Sequence, residues 1–182
     1  MKSKENTILE LFFNNPTKHW GFEEIVEEAD TARSKADKWL KRFIKSGWIK
    51  RIKPKGKMPY YLADYENPSY KNKKRIFALE KLYDTGFLNH LYSLKKTKTI
   101  ILFGSFTRWD WHSGSDIDLF IYGDLEGLDI APYELKLHRD IQLFICKNKK
   151  DISKLGEGLI TNILKGDLIK GDIKPLEVCS NA

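Results

Sequence analysis

Apolar residues recur at helical spacing three times near the N-terminus. This spacing predicts three helices, over residues 5–14, 22–28 and 31–46. Asp30 or Thr31 is the expected N-cap of the third helix, and Gly47 lies where a helix-ending glycine is expected. The segments 48–52 and 60–62 follow, and the lysine-rich turn with proline and glycine between them predicts a hairpin.

The middle of the chain is predicted to be a linker followed by helices. Residues 64–75 are polar, and they contain the pair Asn67-Pro68, which commonly breaks a helix. From about Lys74 the apolar residues return to helical spacing, with an interruption at Gly86. We therefore expect one or two helices between the two halves of the chain.

The second half alternates between strand and helix patterns. Residues 99–103 form a continuous apolar run, as expected of a strand that is buried on both faces. Two further strands are predicted at 115–121, from its alternation of apolar and polar positions, and at 140–146. Residues 151–165 have helical spacing, and 167–173 is predicted to be a last short strand.

The composition indicates a globular protein. Of the 182 residues, 41% are apolar and 13% aromatic, which is enough to build a core. No apolar run approaches the roughly 18 residues that a membrane helix needs, and the N-terminus lacks a signal-peptide pattern. We therefore expect a soluble, cytoplasmic protein without membrane association. Cys146 and Cys179 form neither a metal-binding spacing nor a disulfide framework, and we expect a buried thiol and a tail thiol.

The charge is distributed unevenly along the chain. Residues 1–98 carry 22 Lys or Arg and 12 Asp or Glu, a net charge of +10, whereas residues 99–182 carry 10 and 13, a net charge of −3. Within the first half, residues 33–57 hold eleven Lys or Arg and a single acid, Asp37. Such asymmetry predicts two modules with different partners, and the partner of the first, basic module is expected to be anionic.

The N-terminal pattern of short helices, a basic third helix and a lysine-rich hairpin resembles a winged helix-turn-helix domain. The resemblance implies that the third helix enters the major groove of double-stranded DNA while the hairpin contacts phosphates. The candidate DNA-binding residues are Arg33, Lys35, Lys38, Lys41, Arg42, Lys45, Lys53, Lys55 and Lys57. A solvated lysine face on a domain that binds protein is the alternative, because net charge alone does not specify a nucleic acid.

Candidate chemistry lies in the second half, on either side of one loop. Gly104 and Ser105 follow the strand 99–103 directly, and Ser105 is predicted to cap a short helix over 105–109. A turn of this kind presents backbone N–H groups and a hydroxyl, which can bind phosphate. Alternation over the next strand places Asp116 and Asp118 on one face, about 7 Å apart. Two carboxylates at this spacing can share Mg²⁺, which prefers a few carboxylates together with substrate phosphates.

The Gly-Ser turn, ten intervening residues and an Asp-x-Asp strand resemble the signature of the polymerase-β-like nucleotidyltransferase superfamily, and most closely its small prokaryotic "minimal" members. The resemblance implies an α+β protein, in which an N-terminal winged helix-turn-helix precedes a nucleotidyltransferase domain with a mixed sheet flanked by helices. The predicted divisions are residues 1–66 for the winged domain, 67–97 for a helical linker and 98–182 for the nucleotidyltransferase domain.

The resemblance also implies a set of site residues. Asp116 and Asp118 would hold Mg²⁺ or Mn²⁺ and take part in catalysis, while the triphosphate of an NTP would be bound by Gly104, Ser105, Arg108 and Ser115. Two departures from the family pattern stand out. Trp109 replaces the small residue that usually continues the turn, so Trp109 and Trp111 are expected to narrow or reshape the nucleotide pocket.

The second departure concerns the third carboxylate of the family, which lies on a later strand. The best-matching position here is Gln142, with Asp140 two residues earlier on the same predicted face. Glutamine is no general base and a poor metal ligand. Either Asp140 is the third catalytic carboxylate, or the site binds metal with weak or altered chemistry.

Two functions therefore compete. The first is an Mg²⁺-dependent transferase that moves a nucleoside monophosphate from an NTP to a protein or RNA acceptor, with membership of a toxin–antitoxin pair and a small helical partner protein implied by the resemblance alone. The second is a non-catalytic transcriptional regulator whose nucleotidyltransferase domain senses nucleotide or is degenerate. The Asp116 and Asp118 pair favours the first function, and Gln142 favours the second.

Overall fold

A computed structural model of the protein describes residues 3–177, so the predicted tail thiol of Cys179 lies outside the described residues. The chain divides into two compact units. The first contains the residues up to Lys74 together with Trp111–Ser113, and the second contains Arg75–Asp110 and the residues from Gly114 onward.

The first unit begins with the elements that the apolar spacing predicts. They are three helices, α1 (Lys4–Asn14), α2 (Phe22–Glu28) and α3 (Arg33–Lys45), and an antiparallel hairpin of β1 (Ile49–Ile52) and β2 (Tyr60–Ala63). Their inward faces form an aromatic-rich core of Ile8, Phe12, Phe13, Ile25, Ala36, Leu40 and Phe43. Burial of each large apolar side chain contributes roughly 1.5 to 3 kcal/mol. A single bridge, in which Trp20 and Tyr61 exchange backbone hydrogen bonds of 2.8 and 2.9 Å, adds a third strand position beside the hairpin.

The ends of α3 differ in how well the sequence predicts them. The expected N-cap, Asp30 or Thr31, is wrong: Ala32 occupies that position, without a side-chain hydrogen bond. Asp30 instead has a φ of 45° and pairs with Lys4 at 2.8 Å. The C-terminal prediction is confirmed, since Gly47 has a φ of 70°, a conformation that glycine adopts without steric cost.

The predicted linker is largely helical. Helix α4 spans Pro68–Asp84, so residues 68–75 belong to a helix that the sequence pattern places later. Pro68 starts this helix because the first helical position needs no N–H donor. The Asn67 side chain accepts a hydrogen bond of 2.9 Å from Ser69 N, as an N-cap does. Gly86, with a φ of 81°, separates α4 from α5 (Phe87–Ser93).

The second unit is built on a mixed four-stranded sheet. Its strands are β3 (Thr97–Phe103), β4 (Ile117–Gly123), β5 (Ile141–Cys146) and β6 (Asp167–Lys170), in the order β5-β4-β3-β6. Only the β4–β5 pair is parallel, because α6 (Ala131–Leu137) connects those two strands as a crossover. This mixed sheet with flanking helices confirms the predicted α+β class.

Helices cover one face of the sheet. Predicted as a single helix over 151–165, this region forms two: α7 (Lys149–Ile152), capped by Asn148, and α8 (Glu157–Leu164), which begins after Gly156. A final helix, α9, spans Lys174–Glu177. These helices pack on the sheet in a cluster of Ile101, Phe103, Phe120, Tyr122, Cys146, Ile152, Ile163 and Leu176. Cys146 is buried here, as predicted.

Among the described helices, none combines the length and the apolar character needed to cross a membrane.

Candidate active site and basic surface

Strand register brings the predicted carboxylates to one end of the sheet. In the parallel pair, Asp118 of β4 lies directly beside Gln142 of β5. Asp116 immediately precedes β4 and Asp140 immediately precedes β5, and Ile117 N donates a 2.9 Å hydrogen bond to the Asp140 carbonyl. Asp116 and Asp140 are exposed, whereas Asp118 is half-buried. The four side chains therefore occupy neighbouring positions at the entrances of two adjacent strands.

Gly104 lies directly against the Asp118 carboxylate. A Cβ atom at this position would overlap Asp118 Oδ2 and lie 2.8 Å from its Cγ. The backbone at Gly104 also has φ 79° and ψ −161°, a combination that is essentially restricted to glycine. Steric space and backbone conformation thus both require glycine where the turn meets the carboxylate.

Burial and a neighbouring charge raise the pKa of Asp118. Desolvation is the main cause, and the nearby Asp116 carboxylate raises the pKa further, while the Arg108 guanidinium lowers it in part. A carboxylate whose charge is poorly compensated by protein groups favours a cation beside it. The electrostatics of this position are therefore suited to a divalent ion.

The turn that follows Gly104 is shorter than predicted. Instead of a helix over 105–109 capped by Ser105, a 3₁₀ turn spans Ser105–Thr107 and Gly104 occupies the capping position. The Thr107 hydroxyl donates to the Gly104 carbonyl at 3.0 Å, which tightens the turn. Within residues 3–177, the half-buried Ser105 hydroxyl has no hydrogen-bond partner. It can therefore bind an incoming ligand without breaking a protein contact.

Arg108 follows the turn and carries its charge near Asp118. Its guanidinium makes a two-point contact with Asp110, with Nε–Oδ1 at 3.2 Å and Nη2–Oδ2 at 3.1 Å. The pair is half-exposed, so an anionic ligand can compete with Asp110 for the guanidinium. This position fits the predicted role in binding phosphate.

Ser115 and the two tryptophans differ in their surroundings. The Ser115 carbonyl accepts a 2.6 Å hydrogen bond from Arg139 Nη1, so its backbone already has a structural partner. Trp111 is buried in the first unit, 5.9 Å from Phe13 between ring centres, and its carbonyl accepts a hydrogen bond from Lys74. The role of Trp111 in shaping a nucleotide pocket stays a prediction. Trp109 belongs to the second unit and is 39% exposed.

Sequence reasoning missed Arg139 entirely. It is 7% exposed, and its guanidinium carbon lies 5.3 Å from the centre of the Phe106 ring. No local pattern marks a buried arginine, because the residues that it contacts come from a loop more than twenty positions earlier in the chain.

The donor set fits a divalent metal that shares its coordination with a substrate. Within residues 3–177, no group of three or more His, Cys, Asp and Glu side chains is arranged to enclose an ion. Asp116 and Asp118 nevertheless offer adjacent carboxylate oxygens, and Mg²⁺ commonly binds one or two carboxylates together with phosphate oxygens and water. A protein site of two carboxylates suits that mode of binding and does not suit a structural, fully enclosed metal.

All nine predicted DNA-binding residues are exposed, on α3 or on the hairpin. Three of them form ion pairs within the first unit: Arg33 with Glu23 at 2.6 Å, Lys41 with Asp37 at 2.7 Å, and Arg42 with Glu5. The other six have no acidic partner within the described part of the chain; they are Lys35, Lys38, Lys45, Lys53, Lys55 and Lys57. We call these six lysines the basic surface.

Known proteins are similar to part of this chain. No curated protein matches the sequence. Two solved structures are similar to part of it: a mutant of the toxin–antitoxin MntA-HpeT, with 18% identity and a TM-score of 0.32 over 58% of this chain and 80% of the other, and a toxin–antitoxin with AMP-PNP, with 19% identity and a TM-score of 0.34 over 60% and 81%.

The family match is confined to one part of the chain. Residues 88–172 match the family described as "Polymerase beta, Nucleotidyltransferase". This span begins in α5, ends just after β6, and includes the Gly104 turn, the Asp116 and Asp118 pair and all four strands of the mixed sheet. Residues 88–172 are therefore the part of this chain that is similar to polymerase beta nucleotidyltransferases.

Proposed function

We propose that the protein is an Mg²⁺- or Mn²⁺-dependent nucleotidyltransferase that moves a nucleoside monophosphate from an NTP to a protein or RNA acceptor. The observation that carries this proposal is the packing of the Gly104 turn against the Asp118 carboxylate, with Asp116 beside it. A turn suited to phosphate beside two carboxylates suited to a divalent ion supports the proposal, because transfer from a triphosphate requires both groups together.

Each site residue has a role in the proposed reaction. Asp116 and Asp118 hold the divalent ions, Gly104 and Ser105 bind the triphosphate, and Arg108 contacts phosphate after leaving Asp110. Ions bound there supply charge neutralisation and polarisation of the α-phosphorus. The acceptor hydroxyl oxygen forms a bond to that phosphorus while the bond to pyrophosphate breaks, and Asp140 takes up the hydroxyl proton.

Calorimetric titration tests the proposal without knowledge of the acceptor. ATP, GTP, CTP and UTP are titrated separately into the purified protein with Mg²⁺, with Mn²⁺ and with excess chelator. Metal-dependent binding of at least one NTP is the expected result, and it would justify a search for the acceptor with NTP labelled at the α-phosphate. If a folded protein binds none of the four, the transferase proposal is wrong for this chain.

The register of β5 leads to a prediction about Gln142. Because this residue lies directly beside Asp118, Gln142→Asp adds a third carboxylate to the proposed metal site. We expect Mn²⁺ to bind about tenfold more tightly, which corresponds to about 1.4 kcal/mol. Electron paramagnetic resonance of free Mn²⁺ measures this affinity directly. Gln142→Asn is the matched control, and an equal gain in both variants would contradict the prediction.

A second candidate function is favoured by the same residue. A glutamine beside Asp118 leaves the proposed site with fewer carboxylates than the family pattern, which would suit a nucleotide-sensing or degenerate domain in a DNA-binding regulator. The labelled-NTP experiment separates the two candidates. Nucleotide binding without transfer to any acceptor favours the regulator, whereas transfer favours the enzyme.

We further propose that the first unit is a winged helix-turn-helix that binds double-stranded DNA through the basic surface. The six exposed lysines without acidic partners support this proposal, since unpaired cations can neutralise phosphates and release counterions. A small helical partner protein, as in a toxin–antitoxin pair, also remains part of the proposal. Co-expression with the product of the neighbouring gene, followed by sizing of the purified complex, tests that part.

The salt dependence of DNA binding gives the next prediction. Replacing Lys35, Lys38 and Lys45 together with Gln removes three phosphate contacts, and we expect the slope of log affinity against log salt to fall by about 2.7. Fluorescence anisotropy with a labelled duplex, measured from low to moderate salt, checks this value. The control removes three exposed lysines of the second unit, Lys147, Lys149 and Lys150. An equal change of slope in the control would mean that the attraction is a general effect of net charge.

A further inference from the structure

A buried arginine connects the two parts of the proposed active site. Arg139 lies between α6 and β5, and its side chain is almost completely removed from solvent. Its Nη1 atom donates a 2.6 Å hydrogen bond to the Ser115 carbonyl. Its guanidinium also faces the Phe106 ring, with 5.3 Å between the guanidinium carbon and the ring centre. One side chain thus contacts both the approach to Asp116 and the turn after Gly104.

The contact with Ser115 acts on Asp116 through the backbone. The Ser115 carbonyl belongs to the peptide bond that leads into Asp116, and on the other side Ile117 N donates to the Asp140 carbonyl at 2.9 Å. Both peptide groups that flank Asp116 are therefore bonded to the two consecutive residues Arg139 and Asp140. The direction in which the exposed Asp116 side chain leaves the backbone is fixed by these bonds.

The contact with Phe106 acts on the phosphate-binding turn. Phe106 is the central, fully buried residue of the 3₁₀ turn that begins at Ser105. A planar guanidinium can face an aromatic ring and donate in its own plane at the same time, whereas an ammonium group cannot provide both contacts with the same geometry. A buried arginine can therefore contact both the Phe106 ring of the turn and the Ser115 carbonyl that precedes Asp116.

The segment that carries Arg139 is itself held in place. His138 ends α6 with a φ of 53°, and Arg139 N donates to the Glu134 carbonyl at 3.3 Å. The Glu134 side chain then accepts a 2.9 Å hydrogen bond from Ile141 N at the start of β5. The position of the guanidinium is thus set by the end of α6 and by the edge strand together.

We propose that Arg139 is a positioning residue, which fixes the Asp116 carboxylate relative to the Ser105 turn so that metal and triphosphate bind in one geometry. This inference rests on the proposed nucleotidyltransferase function. Arg139 touches neither substrate nor ion. It acts through Asp116 and Phe106, and its replacement should loosen both segments while the rest of the domain stays folded.

The test uses two variants and a stability control. Arg139→Met keeps most of the aliphatic stem and removes the planar charge, and Arg139→Lys keeps a buried charge with a single donor group. Ile163→Val lowers stability in the helix-covered core without touching the site. Affinity for Mn²⁺ in the presence of a bound NTP is measured by electron paramagnetic resonance, and amide hydrogen exchange is measured on the metal-free protein.

We expect Arg139→Met to weaken Mn²⁺ binding at least tenfold and Arg139→Lys by a smaller factor. Exchange should become faster at residues 105–108 and 115–118 in both variants, and Ile163→Val should change neither readout in these segments. If Arg139→Met does not fold, the Mn²⁺ affinity and hydrogen exchange of Arg139→Lys test the inference. Unchanged exchange in the two segments, or Mn²⁺ affinity within twofold of the wild type, would overturn the inference.

The two readouts also separate this inference from the proposed function. If the wild-type protein shows no metal-dependent binding of an NTP, the transferase proposal fails. Hydrogen exchange still decides whether Arg139 fixes the Asp116 segment. If the wild type binds an NTP with metal and both Arg139 variants match it, only the positioning role fails.

Discussion

Asp118→Asn is expected to abolish metal-dependent NTP binding, with a loss of at least 100-fold in affinity, or about 2.7 kcal/mol. The amide keeps the size of the side chain but removes the anionic oxygen that Mg²⁺ requires. Asp116→Asn should give a loss of similar size, because it removes one of the two carboxylates that are proposed to hold the ions. Calorimetry with Mn²⁺ and the best-binding NTP measures both losses.

Asp118→Asn should also stabilise the fold at neutral pH, by up to about 1 kcal/mol once the partial exposure of the side chain is taken into account. Burial and the Asp116 charge raise the pKa of Asp118 above its ordinary value. Because the pKa is raised in the folded state, ionisation of Asp118 lowers the stability of the wild type as pH rises from the ordinary pKa through the raised pKa. Asn cannot ionise, so the variant does not lose this stability. Loss of binding with gain of stability would distinguish a functional carboxylate from a structural one.

The matched control for these measurements is Asp129→Asn. Asp129 is an exposed acid in the same unit, but it follows β4 and therefore lies at the opposite end of that strand from Asp116. We expect it to leave both NTP affinity and stability unchanged. The stability gain of Asp118→Asn should shrink as pH is lowered toward the ordinary carboxyl range, because the wild-type side chain then becomes neutral too. A gain that is constant with pH would contradict the electrostatic explanation.

The sequence predicts the local part of the candidate site well, because that part is encoded in one strand, one turn and the next strand. Alternation alone places Asp116 and Asp118 on one face, and the Gly104-Ser105 pair identifies the turn. The helices and hairpin of the first unit are predicted for the same reason, since each depends on neighbouring residues. Errors occur mainly at ends and interruptions, such as Pro68 as a helix start and Gly156 as a helix break.

The rest of the site depends on contacts between distant segments, which spacing cannot reveal. The sequence leaves Asp140 and Gln142 as alternatives, because only the register of a parallel pair joined by a crossover shows which one lies beside Asp118. Arg139 has no sequence signal at all, since its partners Ser115 and Phe106 meet it only in the folded domain. Contacts between distant segments thus determine which residue lies beside Asp118 and which side chain holds the site in place.

Gly104→Ala is expected to disrupt both stability and the site, and it separates the role of the turn from that of the carboxylates. The added Cβ would overlap Asp118 Oδ2, so either the turn or the carboxylate must move. The backbone conformation at Gly104 adds strain for any residue with a side chain. We expect a loss of about 3 kcal/mol or more in the free energy of unfolding. Urea denaturation measures this loss, and metal-dependent NTP binding should disappear even though Asp116 and Asp118 are both present.

Gly86→Ala supplies the control, because it has nearly the same φ without the steric conflict. Gly86 has a φ of 81°, and a Cβ there would meet nothing within 4 Å. Its left-handed conformation should cost about 1 kcal/mol for alanine, with NTP affinity unchanged. The difference between the two variants then measures the close approach of Gly104 to Asp118. Similar losses of stability in both, with NTP binding retained in Gly104→Ala, would show that the turn can move away and that this approach is not needed for the site.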